Sequence, residues 1–173
     1  MSVEEDLKEG VEKAKEPFDR NVALTMAVIA AVMAVVSVMG QILVTEELLG
    51  QQKASDQWSF YQAKDIRRYQ SEVARDTMAA LSAGPAAVNR YAANAERYDK
   101  ERGDIQTEAK KFEEESHVAG ARALRAHIGE VFLEIAIVLA SLAILTKRRT
   151  MWFASILSGA AGAVIAATAA LLH

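Results

Sequence analysis

Residues 22 to 44, VALTMAVIAAVMAVVSVMGQILV, contain no charged side chain, and residues 151 to 172, MWFASILSGAAGAVIAATAALL, repeat that condition near the other end of the chain. A helix needs about 20 residues to cross roughly 30 Å of hydrocarbon, so each run is long enough to span a bilayer. A helix that is apolar on every side requires either lipid or a large surrounding core. In 173 residues no other apolar mass provides that core. A third stretch, IGEVFLEIAIVLASLAILT at 128 to 146, is marginal in length and carries Glu130 and Glu134. The mean hydropathy of +0.06 hides this pattern, because most of the charge lies between 45 and 127. The fold class predicted is therefore all-α, an integral membrane protein with three transmembrane helices at 21–44, 128–146 and 151–172.

The first 20 residues hold seven acids and four bases, which is not the basic leader of a secretory signal, and the apolar run that follows is too long for a signal core. They are predicted to form a polar tail. Val3, Leu7, Val11, Ala14 and Phe18 form a weak amphipathic stripe within it. Lys147, Arg148 and Arg149 make a very short basic turn (147–150) between the second and third spans, where positive-inside bias is most informative. They are placed in the cytoplasm, which puts the N-terminus inside and the segment between the first two spans outside. Trp152, just beyond the turn, suits an interfacial aromatic belt.

Residues 45 to 127 are predicted to form a long extramembrane coiled-coil hairpin. Residues 51 to 80 lack Gly and Pro, and LSAGPAAV then interrupts, with Gly84 able to take a left-handed helix end and Pro85 able to start the next helix. The turn is expected near 82–86. In the second arm Val88, Tyr91, Ala95, Tyr98, Arg102, Ile105, Ala109 and Phe112 recur at steps of three and four, a seam that continues through Ala126 and Glu130 toward Leu133 and Ile137. One helix from about 86 to 146 follows. In the first arm Trp58, Ile66, Tyr69, Val73 and Ala80 form a rougher stripe. Arg102 within the seam either snorkels to a carboxylate on the neighbouring helix or fixes register.

Glu134 lies inside the second span, where an ionised carboxylate is costly. It is expected to hydrogen-bond to Ser37, Thr25 or Ser141 across a helix contact, or else to face a wet ion path. In the third span Ser155 and Gly159, and Ser158 and Gly162, are each four apart and permit close helix packing with another span or another copy.

There is no cysteine, Gly-rich phosphate loop, zinc motif or nucleophile elbow. His117 and His127, ten apart on one helix, do not form a metal pair. The net charge of −3 supplies no basic field for nucleic acid. No enzyme activity, cofactor, metal or nucleic-acid partner is expected. The partners expected are the lipid bilayer, further copies of the chain and an unidentified protein.

The stretches SDQWSFYQAKDIRR (55–68) and IVLASLAILTKRRTMWFASILSGAAG (137–162) resemble the bacterial membrane-protein family catalogued as domain of unknown function 4337, with Asp56, Gln57, Trp58, Tyr61, Gln62, Ala63, Lys64 and Thr146 to Arg149 carrying the likeness. The resemblance implies a bacterial inner-membrane protein and supplies no activity. The function expected is a membrane-anchored coiled-coil interaction or scaffold protein that self-associates. An oligomeric channel or ion-coupled transport component using Glu134 is the alternative.

Overall fold

The computed structural model describes residues 17 to 171, and three helices occupy them: α1 at Pro17–Ala80, α2 at Pro85–Thr146 and α3 at Arg149–Ala169. Each contains a window long and apolar enough to cross a membrane. The separate extramembrane coiled-coil hairpin expected between the first two spans is thereby overturned. Leu81 to Gly84 alone separate α1 from α2, which leaves no place for additional elements, and the charged stretch consists of turns of α1 and α2 themselves. The physical reason lies in the helix bond, which closes between residues four apart and is indifferent to what the side chains prefer as solvent. A change of composition near Val44 or Gly120 therefore does not end a helix.

Residues 1 to 16 of the expected polar tail, with the Val3 to Ala14 part of its stripe, lie outside the described residues, whereas 17 to 20 belong to α1, which is described from Pro17, whose fixed φ suits a first helical position. The α1–α2 turn is closed by two reversed bonds, from Ala83 N–H to the Met78 carbonyl (3.0 Å) and from Ser82 N–H to the Ala79 carbonyl (3.1 Å). Ser82 occupies the left-handed position of that cap at φ 53°, where a glycine is usual. Gly84, also at positive φ (80°), then turns the chain into Pro85.

The described residues fall into two compact units, one of residues 17–44 with 120–171 and one of residues 45–119. In the first, α1 buries Val22, Ile29, Val36 and Leu43, which recur every seven residues on one face. They meet small residues: Ile29 and Val36 cluster with Leu133, Ala136 and Ala166, Val22 with Ala140 and Ala143, and Leu43 with Ala123 and Ala126. Lipid is as apolar as these side chains, so helix association within it depends on close packing, which alanine and glycine allow.

In the second unit Ala54 and Ser71 of α1 and Ala95, Ala109, Ser116 and Ala119 of α2 are buried. The two helices approach closely at Gly50, where an added Cβ would lie 2.9 Å from that of Ser116; the Ser116 hydroxyl donates to the Glu47 carbonyl at 3.0 Å. The stripe expected on the first arm is corrected, since Ile66, Tyr69 and Val73 face outward. Trp58 of that stripe does turn inward, and the other inward positions are Ala54, Tyr61, Lys64 and Arg68; Trp58, Lys64 and Arg68 find polar partners across or along the helices.

Candidate functional site

Glu134 is exposed on α2, beside exposed Val131 and Val138, and makes no hydrogen bond or ion pair with any described residue. Of the three hydroxyls considered as its partners none bonds to it, and those of Thr25 and Ser141 are engaged elsewhere. Thr25 donates to the Asn21 carbonyl and accepts from the Trp152 indole at 3.2 Å, and Ser141 donates to the Ile137 carbonyl. Glu130, one helical turn earlier, is half-buried, with a carboxylate oxygen 3.3 Å from Nδ1 of His127. The transport alternative loses its basis here, because Glu134 lies on an outer surface and the three spans close on alanine, glycine and aliphatic side chains.

The five candidate residues on α2 in the second unit are half-buried and meet mostly polar groups. Arg102 donates to Asp65 (2.6 Å) and Asp99 (2.8 Å) and lies over the Tyr61 ring at 5.4 Å. Tyr98 carries the Lys64 ammonium over its ring, Phe112 carries that of Lys53, and Tyr91 carries the guanidinium of its neighbour Arg90. Ile105 sits in a shallow groove with Phe60, Lys64 and Glu101. Lys64 donates to Glu101, and that bond, against the opposing effect of burial, holds the Glu101 carboxyl below the usual carboxylate range.

The small residues of α3 are committed within the chain. Ser155, Gly159 and Gly162 are buried, and the Ser158 hydroxyl donates to the Phe132 carbonyl at 2.8 Å. At Gly162 the backbone of α3 meets that of α2 at Gly129: a Cβ on Gly129 would stand 2.7 Å from the Gly162 oxygen. Self-association thus loses the ridge that motivated it. Sequence reasoning missed Gly129, whose only signal is a glycine where the second apolar run begins. It also missed Arg122, which donates from α2 to the Ala169 carbonyl (3.0 Å) at the C-terminus of α3, a helix end that favours a cation.

At the opposite end of that unit Lys147, in the left-handed region at φ 57°, pairs with Asp19 of α1. Arg148 is the N-cap of α3 and offers no side-chain cap, Arg149 opens the helix, and both are exposed. Trp152 packs edge-on against Phe18, with ring centroids 5.9 Å apart. Among the described residues no three His, Asp or Glu side chains gather as a metal site.

The family described as "Domain of unknown function (DUF4337)" matches residues 18–172. The chain belongs to that family. In this DUF4337 chain the DQWSFYQAK stretch has a packing role: Trp58 donates to Glu113 at 2.8 Å, Tyr61 lies under Arg102, and Lys64 pairs with Glu101. With its three membrane-length helices, the DUF4337 chain is a membrane-associated protein. No curated protein and no solved structure matches it.

Proposed function

We propose that this protein has a non-enzymatic role in the bacterial inner membrane, binding a transmembrane helix of another protein on the α2 face that bears Glu134. The coiled-coil scaffold expected from sequence is replaced by an intramembrane surface. The observation that supports this reading is the exposed, unpartnered position of Glu134 in a membrane-length apolar window. A carboxylate facing lipid costs about 2.5–3.5 kcal/mol at a helix centre, and such groups are usually found against protein or water. Val131 and Val138 flank it as apolar contact surface. The spans contain no Lys, Arg or His over 21–44, 128–146 or 150–171, so a second copy has no cation to offer at that depth. A different helix carrying one is the complementary partner.

The basic turn supports an orientation in which Lys147 to Arg149 are cytoplasmic, Pro17 lies on the same side and residues 45–119 are periplasmic. Because the chain has no cysteine, single cysteines report cleanly. A membrane-impermeant maleimide should label Asp104→Cys and not Thr150→Cys in intact spheroplasts. A nitroxide on Val138→Cys in native membranes should be shielded from oxygen relative to one on Leu157→Cys, which is exposed on α3. Equal lipid-like accessibility at both positions sinks the partner reading.

A further inference from the structure

A second outward surface of the membrane-spanning unit has a different chemistry. Between α1 and α3 lies an apolar groove of about 520 Å³, with Leu24, Val28 and Val32 on one wall, Ile156, Ala160 and Ala163 on the other, and Ile29, Leu133 and Gly159 as its floor. That volume is within the roughly 300–1,000 Å³ of small-molecule clefts. The groove exists because α3 presents alanine and glycine where α1 presents β-branched and leucine side chains, so one wall is low. Its lining belongs to membrane-length apolar windows, and the medium that reaches it there is hydrocarbon.

One end of the groove is cationic. Arg149 precedes Ile156 by seven residues and Arg20 precedes Leu24 by four, spacings that put each arginine on the same helix face as its wall. Arg20 and Arg149 are exposed and pair with no carboxylate among the described residues, in contrast to Lys147, which pairs with Asp19. Trp152 and Phe18 mark this end as the interfacial level.

We propose that this groove is a binding site for one anionic phospholipid, with an acyl chain between α1 and α3 and the headgroup phosphate held by Arg149 and Arg20. The occupant follows from charge complementarity: an acyl chain alone satisfies the apolar walls, and the unpaired arginines at the groove mouth select a phosphate that carries net negative charge over a zwitterionic headgroup. Arginine suits the task because its planar fork meets two phosphate oxygens at once. The site lies on the α1–α3 side and does not depend on the partner surface at Glu134.

The test uses the full chain, with Trp58→Phe to leave Trp152 as the fluorophore, in phosphatidylcholine vesicles containing increasing fractions of phosphatidylglycerol brominated in its acyl chains. Trp152 should be quenched at lower mole fraction by brominated phosphatidylglycerol than by brominated phosphatidylcholine. Arg149→Gln and Arg20→Gln should each weaken that preference by about fivefold. Ala160→Phe fills the groove from an exposed position without entering the core, and should abolish the preference while circular dichroism stays unchanged. Inorganic phosphate at millimolar concentration should not compete, because it lacks the chain. Equal quenching by the two brominated lipids, a preference undisturbed in Ala160→Phe, or displacement by free phosphate would each overturn the proposal.

Discussion

Replacing Gly129 or Gly162 by alanine is the sharpest test of how α2 and α3 are held together. A Cβ on Gly129 would lie 2.7 Å from the Gly162 carbonyl oxygen, 2.8 Å from the Ala166 Cβ and 2.9 Å from the Ala166 nitrogen. A Cβ on Gly162 would lie 2.6 Å from the Gly129 oxygen and 3.0 Å from the Phe132 Cβ. Overpacking costs about 1–3 kcal/mol. Two of the three obstacles at Gly129 are backbone atoms, which cannot rotate aside, so the upper part of that range applies. Alanine recovers about 0.8–1.0 kcal/mol of helix propensity, leaving a net loss of about 1–2 kcal/mol for each variant.

Gly40 supplies the control within the same unit, because its added Cβ would make ordinary contacts of 3.5 Å and 3.7 Å to His127 and Ala126. Gly40→Ala should therefore be neutral or stabilising by up to about 1 kcal/mol. The assay is reversible unfolding in mixed micelles titrated with sodium dodecyl sulfate, followed by circular dichroism. The same chemical change should lower the midpoint at Gly129 and Gly162 and leave it unchanged or raised at Gly40. If Gly129→Ala and Gly162→Ala match Gly40→Ala, the backbones of α2 and α3 do not approach as described.

Further perturbations probe the rest of the chain. Ser82→Gly removes a non-glycine residue from the left-handed region and should stabilise the α1–α2 turn by about 1 kcal/mol, read as a raised unfolding midpoint. Ser155 is fully buried and its hydroxyl has no hydrogen-bond partner, so Ser155→Ala should be neutral or stabilising by about 1 kcal/mol in the same titration; a loss above that would show a bond the geometry lacks. The folded Glu101 carboxyl is held below its ordinary 4.5 by the bond from Lys64, so its stabilising contribution is complete above about pH 4.5 and disappears as pH falls through the folded value. Lys64→Met should flatten that acid limb in thermal melts taken from pH 6 to pH 3; an unchanged slope would remove Glu101 as its source.

The apolar windows were legible because lipid imposes one requirement on every residue of a span, whereas the rest of the fold depends on which neighbour each side chain meets. Ile66, Tyr69 and Val73 resemble an inward stripe by type and spacing, but Arg68, Lys64 and Asp65 find charged partners and leave the apolar residues outside. The Gly84-Pro85 pair signalled a reversal, yet the helix cap itself fell on Ser82, a residue whose left-handed backbone sequence does not advertise. The small ridge of α3 was visible as a ridge. Whether it served this chain or another copy depended on Gly129, since only a glycine at the facing position lets the two backbones approach as they do.

That division between committed and uncommitted groups is what directs attention to the outer faces. Ser158, Thr25, Ser141 and Arg122 each bond to backbone or side-chain groups inside the membrane-spanning unit, and Lys147 is held by Asp19. A bundle most of whose polar side chains and close-packed glycines serve its own closure has little capacity for chemistry in its interior. Glu134, Arg20 and Arg149 are ionisable groups of that unit left without a partner among the described residues. They lie on two different outward surfaces and have opposite charge. One surface therefore calls for a cation at span depth and the other for an anion at the interface. A bilayer supplies the second from its own lipids, but it supplies a buried cation only on another protein.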